Sequence, residues 1–284
     1  MANAQPRVDH VVLDTRDDID AAADVYRSLG FRLTERGRHT LGSINRLAVF
    51  ESDYLELLGF DSAAGAPRAD IARFPAGLNG LVFATESADG LFRDLKARDL
   101  PVEEPLAFSR PVVLPDGVHD ARFCVARLRE GAAPFGRMYL CQHLTPDLVW
   151  RPEWRHHPNG AAGLARVSIA ARAPAVSAEL FLRLFGRDNV REASGGAWNV
   201  AAGTVQVEVV PLDTLQRQLG DAMPIPSGRS DFIARIGIRT AALSRASEAL
   251  RSAAIPFQVL EAARILVPAS AARNVAIEFV EGWS

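Results

Sequence analysis

The side chains best suited to chemistry in this 284-residue chain are histidines and one glutamate that lie in apolar surroundings. All six histidines fall within the first 157 residues, so a histidine-based metal site must lie in the first half of the chain or at its border. Glu56 interrupts an apolar run from Tyr54 to Leu58. Because burying an unpaired carboxylate costs free energy, Glu56 needs a partner, either a cation such as Arg46 across a hairpin or a metal ion.

The elements that must position these residues follow a repeated pattern. Apolar residues spaced three and four apart follow each of four apolar strand candidates, which indicates one helix after each strand. The strand candidates are Val8–Leu13, Leu78–Thr85, Leu164–Ala170 and Ile233–Ile238. Later strands close the units, for example Arg46–Phe50 and Tyr54–Phe60 in the first, Gly136–Leu144 in the second, Thr204–Pro211 in the third and Asn274–Glu281 in the fourth. Each unit is therefore predicted to be β-α-β-β-β, and a unit of roughly 55 to 80 residues is small enough that pairs should combine.

This organisation resembles the vicinal oxygen chelate superfamily, and specifically its glyoxalase-like branch, the fold of glyoxalases, bleomycin-resistance proteins and extradiol dioxygenases. The resemblance is strongest in Val8–Phe60, through Gly37-Arg38-His39, Asn45-Arg46-Leu47 and Tyr54-Leu55-Glu56-Leu57. It is strong again around His157-Pro158-Asn159-Gly160-Ala161, and only the outline remains in the last third of the chain. The resemblance implies an α+β fold of four βαβββ units, paired into two cupped mixed-sheet domains over residues 1–150 and 151–284.

The resemblance also implies where ligands of a metal ion would lie. In the superfamily the first strand of a unit offers a histidine or glutamine and the last strand offers a glutamate, and both project into the cup. His10 and Glu56 occupy these two places in the first unit. Strand alternation predicts that Asp9 lies on the face opposite His10. Glu56 would act as a ligand and, on release, as a catalytic general base.

The second unit should supply the remaining ligands. Gly80 falls where a ligand is expected and has no side chain to coordinate with. The closing strand offers Gln142 and His143, which point to opposite faces, and imidazole is the better ligand of divalent ions. The favoured set is therefore His10, Glu56 and His143, which suits Zn, Fe(II), Mn or Ni and leaves coordination positions open.

Other residues are candidates for binding substrate. His39, Asn45 and Arg46 lie in a connection that is near the cup in the family and would orient substrate, although a solvated hairpin is an equally good interpretation. Trp154 would wall a pocket where the domains meet, or simply bury area. Tyr54 is expected to face away from the site.

The second domain is predicted to lack a metal. Arg166 and Arg235 stand where the first unit has its histidine, and Glu208 and Glu278 stand where it has its glutamate. This matched set indicates salt bridges that fill a vacated cup. The alternative is that the two arginines bind an acidic substrate, because guanidinium groups bind carboxylates through two parallel hydrogen bonds.

Three functions follow from the resemblance. The first is a metal-dependent lyase or isomerase that acts on a small substrate with chelatable oxygens. The second is a metal-free protein that binds or sequesters a small molecule. The third is an extradiol-type dioxygenase, which ranks lower because its iron ligands would come from the third and fourth units, where Arg166 and Arg235 stand.

Composition limits the partners. The formal charge of −2 gives no reason to expect nucleic acid or a membrane surface, and no apolar run reaches the roughly 18 residues that span a bilayer. The first residues lack the apolar segment of a secretory signal, and two cysteines do not suggest a disulfide framework, so a cytoplasmic location is expected. The expected partner is a small-molecule substrate or ligand, and a homodimer is left open.

Overall fold

The computed structural model describes residues 5–61, 69–261 and 263–282. The strands of the first half are β1 (Val8–Arg16), β2 (Gly37–Arg38), β3 (Ser43–Val49), β4 (Tyr54–Phe60), β5 (Gly77–Ala84), β6 (Leu106–Leu114), β7 (Gly117–Arg127) and β8 (Arg137–His143). Those of the second half are β9 (Ala161–Ala171), β10 (Val190–Glu192), β11 (Trp198–Ala202), β12 (Val205–Pro211), β13 (Phe232–Thr240), β14 (Gln258–Leu260), β15 (Arg264–Val267) and β16 (Ala276–Val280). The α-helices are α1 (Ile19–Ser28), α2 (Ala69–Ala72), α3 (Ala88–Ala97), α4 (Pro174–Phe185), α5 (Leu212–Leu219) and α6 (Leu243–Ser252).

The strands form two eight-stranded mixed sheets with the same order. The first runs β2-β3-β4-β1-β5-β8-β7-β6 and the second runs β10-β11-β12-β9-β13-β16-β15-β14. The first and last strands of each unit are parallel neighbours, and two units join through antiparallel central strands, β1 with β5 and β9 with β13. The prediction of an α+β fold with four βαβββ units paired into two cupped sheets is confirmed. The helices α2 and α5 are additions to the repeat.

The two sheets share one apolar core between them. The helices α1, α3, α4 and α6 bury their apolar faces in this core. Phe83 of β5 packs on Phe185 of α4 with ring centroids 4.7 Å apart, and Phe135 stacks on Phe181 at 5.7 Å. Burial of such large rings from both halves means that the halves are stabilised together. The predicted boundary between residues 150 and 151 lies in the connection from β8 to β9.

The opposite face of each sheet is concave. The first cup, as we call the concave face of the first sheet, has an apolar lining that includes Val12, Val82 and Phe123. The second cup is covered by α5, which packs Leu215 and Leu219 onto the sheet. None of the helices in the described residues is long and apolar enough to cross a membrane.

Candidate functional site

A bulge in β1 brings a carboxylate beside the His10 ring. Val8 and Val11 both face the core between the sheets, and the register with β5 shifts between Val8 and His10. Such a bulge breaks the alternation of a strand by one residue. His10 Nδ1 therefore donates a hydrogen bond to Asp9 Oδ2 at 2.6 Å. The prediction that Asp9 lies on the opposite face is wrong for this reason.

His10 and Glu56 converge on the floor of the first cup. His10 Nε2 lies 3.7 Å from Glu56 Oε2, and the two residues are only 3% and 6% exposed. Tyr54 stacks on the His10 ring, with centroids 4.2 Å apart and planes 11° apart, and lines the cup. The prediction that Tyr54 faces away is wrong, because residues two apart on a strand share a face and Tyr54 lies two before Glu56.

An amide holds the other oxygen of Glu56. Asn45 Nδ2 donates to Glu56 Oε1 at 2.7 Å and to His39 Nε2 at 3.2 Å. His39 Nε2 is 4.0 Å from the same carboxylate oxygen, and His39 Nδ1 is within hydrogen-bond distance, 2.9 Å, of Ser43 Oγ. The structure thus brings His10, His39, Asn45 and Glu56 together in one buried polar group.

Arg46 lies outside this group. Its Nη1 donates to the carbonyl of Thr34 at 3.2 Å and its Nη2 to Asp20 Oδ1 at 3.2 Å. The neighbours of Arg46 on β3, Asn45 and Leu47, line the cup, so Arg46 points to the other face of the strand. The alternative in which Arg46 is the partner of Glu56 is therefore wrong.

His143 is on the cup side of β8 but is bonded to Asp9. Gln142 Oε1 accepts a hydrogen bond from the backbone N–H of Ala88, at the start of α3, so Gln142 faces the helix. His143 Nε2 lies 3.0 Å from Asp9 Oδ2, and its ring packs on Trp150 with centroids 4.5 Å apart. His143 is therefore joined to His10 through Asp9, and the described contacts do not pair it with Glu56.

The strand register explains why His143 does not correspond to Glu56. His10 pairs with Tyr54, and the glutamate lies two residues further along β4. In the second unit Gly80 pairs with Arg137, so the residue that corresponds to Glu56 is Tyr139. A Cβ atom at Gly80 would lie 2.7 Å from Cβ of Val12, which leaves no room for any side chain there. The second unit therefore places a glycine and a tyrosine where the superfamily has its second pair of ligands.

Asp9, Cys141 and His143 form a further group of donor atoms. One ligand atom from each lies within 4.8 Å of the others. Burial by itself raises the pKa of Asp9, but the charge of His143 and hydrogen bonds from His10 and His143 outweigh it and hold this pKa well below its usual range. Burial raises the pKa of the Cys141 thiol well above its usual range, so the thiol stays protonated. This group is joined to His10 through the hydrogen bond between His10 and Asp9.

The donor atoms of His10 and Glu56 fit two coordination positions of a divalent ion. One imidazole and one carboxylate suit zinc, manganese, iron(II) and nickel. The bond from His10 Nδ1 to Asp9 fixes the ring and leaves Nε2 as the donor, an arrangement common for metal-bound histidines. The remaining positions would be open to water or ligand, since Gly80 offers no side chain.

Arg110 on β6 is a site residue that no sequence pattern predicts. It is 3% exposed and lines the first cup, and its Nε and Nη2 atoms have no hydrogen-bond partner in the described part of the chain. Burial lowers its pKa, and the charges of Tyr54 and Glu56 act in the opposite direction. A lone arginine in a strand is ordinarily exposed on the polar face, which is why the sequence does not mark it.

The connector, as we call the residues between β8 and β9, packs against the first unit. Trp154 packs against the apolar cluster of the first cup but is not among the residues that line its cavity. His157 Nε2 donates to the carbonyl of Val49 at 2.9 Å, and its Nδ1 accepts from the backbone N–H of Arg32 at 3.0 Å. Burial lowers the pKa of His157, so the ring is neutral. These contacts fix the connector against the first unit.

The second cup is filled by ion pairs. Arg235 Nη2 lies 2.8 Å from Glu208 Oε1, and Arg166 Nη1 lies 3.3 Å from Glu278 Oε2. Arg264 Nη1 adds a contact of 2.9 Å to Glu278 Oε1. The predicted pairing of the two arginines with the two glutamates is confirmed.

Paired βαβββ units in two cupped sheets, with a histidine and a glutamate on the first and last strands of one unit, define a glyoxalase-like protein of the vicinal oxygen chelate fold. The model of the glyoxalase-like domain family matches residues 8–185, and the chain belongs to this family.

Solved structures share the fold over nearly the whole chain. A hypothetical protein from Staphylococcus aureus has a TM-score of 0.65 at 12% identity, with 97% of this chain and 99% of that chain covered. A mutant of 4-hydroxymandelate synthase from Streptomyces coelicolor has a TM-score of 0.60 at 13% identity, with 98% and 92% covered. A xylose isomerase-like TIM barrel/4-hydroxyphenylpyruvate dioxygenase fusion protein has a TM-score of 0.55 at 12% identity, with 99% and 50% covered. None of the curated protein sequences matches the chain.

Proposed function

We propose that the chain is a metal-dependent enzyme of the lyase or isomerase type, which acts in the first cup on a small substrate with adjacent oxygens. One observation carries the proposal: His10 Nε2 and Glu56 Oε2 lie 3.7 Å apart on the floor of a cavity of about 120 Å³. Such a cavity is close in size to one of about 150 Å³ known to hold a benzene ring, so a small molecule fits it.

His10 and Glu56 would hold the ion, and a divalent ion bound there would polarise the substrate oxygens as a Lewis acid. Asp9 keeps the proton of His10 on Nδ1 and so leaves Nε2 free to face the cup. Asn45 holds Oε1 of Glu56, so Oε2 would be the ligand atom and, on release, the general base for a proton on the carbon next to the substrate oxygens. Phe108 and Phe123 give the cavity apolar walls beside this proton transfer.

The experiment is a measurement of metal content by elemental mass spectrometry on protein purified without a chelating tag. Wild type should carry about one divalent ion per chain, and Glu56→Ala and His10→Ala should lose it. His119→Ala is the matched control, because His119 is a partly exposed histidine paired with Asp116 outside the cup, and it should keep the ion. Protein that takes up no metal in any variant, even after reconstitution with each candidate ion, would refute the metal-dependent function.

A second candidate function is metal-free binding of a small molecule, favoured by one specific observation. Gly80 and Tyr139 stand where the superfamily has its second pair of ligands, so half of that ligand set is replaced. Metal-free protein that binds its ligand as tightly as reconstituted protein would support this function. A dioxygenase with ligands from the third and fourth units is not proposed, because Arg166 and Arg235 occupy those places as partners of glutamates.

A further inference from the structure

The first cup contains a buried cation, Arg110, that forms no ion pair among the described residues and feels the charge of Glu56 only from a distance. Arg110 is 3% exposed, and its Nε and Nη2 atoms find no hydrogen-bond partner among the described residues. Removing a guanidinium from water without pairing it costs free energy, and proteins ordinarily pair such groups. The arrangement is therefore incomplete in the free protein.

In the second cup of the same molecule, the buried Arg235 has hydrogen-bond and ion-pair partners. Arg235 is 5% exposed, and its Nε donates to Ser168 Oγ at 3.0 Å. Its Nη2 lies 2.8 Å from Glu208 Oε1, and its Nη1 lies 3.8 Å from Glu278 Oε2. The protein thus supplies two carboxylates to a buried arginine in one cup, and the arginine in the other cup has unpartnered donors.

The backbone makes room for Arg110 and leaves it facing the cavity. A Cβ atom at Gly37 would lie 2.4 Å from Oδ1 of Asn45 and 3.1 Å from Cδ of Arg110, so the glycine in β2 leaves space for these two side chains. Arg110 lines the same cavity as His10 and Glu56. The residues that line the cavity include five arginines and three glutamates, an excess of positive charge that favours an anion.

We propose that Arg110 binds a carboxylate group of the ligand, on the β6 wall of the first cup and separate from the His10–Glu56 pair. The inference rests on the proposed function only in that the carboxylate belongs to the molecule turned over there. A carboxylate accepts two parallel hydrogen bonds from the fork of a guanidinium, which satisfies Nε and Nη2 together. The substrate class is therefore a small carboxylic acid whose apolar body lies against Phe108 and Phe123.

The test is a set of titrations of metal-free protein, in the presence of a chelator, with three carboxylates and their neutral amides. The pairs are acetate with acetamide, benzoate with benzamide, and phenylacetate with phenylacetamide, and calorimetry measures each dissociation constant. We expect wild type to bind at least one carboxylate about tenfold or more tightly than its amide, and Arg110→Met to lose the preference. Arg229→Met is the control, because Arg229 is a partly buried arginine outside the first cup and its loss should leave the preference intact.

Two further measurements test the role of Arg110. Arg110→Met should raise the melting temperature of the ligand-free protein, because it removes an unpaired buried charge. Equal binding of carboxylate and amide in all three pairs, or a lower melting temperature for Arg110→Met, would overturn the assignment. Glu56→Gln should keep the carboxylate preference. A preference that persists in Glu56→Gln would show that Arg110 acts independently of the metal site. Absence of metal from wild type would then refute only the metal-dependent function, and a metal ion without any carboxylate preference would refute only the role of Arg110.

Discussion

Asp53 offers a sharp test of the electrostatics of the fold. It lies in the turn between β3 and β4, is 1% exposed, and accepts a hydrogen bond on Oδ1 from the backbone N–H of Leu164 at 2.8 Å. Burial raises its pKa to about 7, and the hydrogen bond from Leu164 only partly opposes this shift. Since the unfolded chain has a carboxyl pKa of about 3.9, the folded protein binds a proton that the unfolded chain releases between these two values.

The contribution of Asp53 to stability decreases as the pH rises. The contribution of Asp53 to stability is fully present below about pH 4 and is lost as the pH rises through 7. A shift of about three pKa units corresponds to about 4 kcal/mol lost by pH 8. Asp53→Asn keeps an oxygen for the Leu164 N–H and cannot ionise. The variant should therefore exceed the free energy of unfolding of wild type by only about 1 kcal/mol near pH 4.5 and by up to about 4 kcal/mol at pH 8.

Urea unfolding of wild type and Asp53→Asn at both pH values measures this difference. Glu51→Gln is the matched control, because Glu51 is an exposed carboxylate in the same turn. Its effect should not change with pH. If Asp53→Asn changes stability by the same amount at pH 4.5 and pH 8, the assigned pKa and its cause in burial are wrong.

Two further predictions concern packing and charge. Gly80→Ala should lower the free energy of unfolding by about 1 to 3 kcal/mol, because its Cβ would lie 2.7 Å from Cβ of Val12. An unchanged melting temperature would contradict the close approach of β1 and β5. Glu278→Gln should cost about 3 to 5 kcal/mol in chemical denaturation, because it removes the buried carboxylate that Arg166, Arg235 and Arg264 share. Asp213→Asn on the surface of α5 should leave stability unchanged, and equal effects of the two variants would show that the second cup gains nothing from its ion pairs.

The repeat could be predicted from the sequence because its signals are local. Period-two strands and helix-period apolar residues recur within each unit, and the observed strand orders of the two sheets are identical. The ion pairs of the second cup could be predicted for the same reason. The ion pairs join residues at equivalent positions of the third and fourth units, and these positions determine which side chains meet. The residues are Arg166, Arg235, Glu208 and Glu278.

The first cup could be predicted only in part, because its geometry depends on register and on distant strands. A bulge before His10 moves Asp9 to the side of the imidazole, and no residue type in β1 marks it. The pairing of Gly80 with Arg137 decides that Tyr139 rather than His143 corresponds to Glu56. Arg110 comes from a strand at the edge of the sheet, 54 residues after Glu56 in the sequence, and only the cupped sheet places both on the wall of one cavity.

The two cups have the same strand order but differ in the pairing of their buried charges. In the second, Glu208 and Glu278 neutralise buried arginines and α5 covers the sheet, so the concave face is a core. In the first, two donor atoms of the buried Arg110 have no hydrogen-bond partner in the part of the chain that the structure describes, and His10 and Glu56 face a cavity. An unpaired buried charge destabilises the free protein, and in our proposal a ligand supplies the missing partner. The difference in charge pairing between the cups, more than any difference in fold, is therefore the reason why we propose the first cup as the half that binds a ligand.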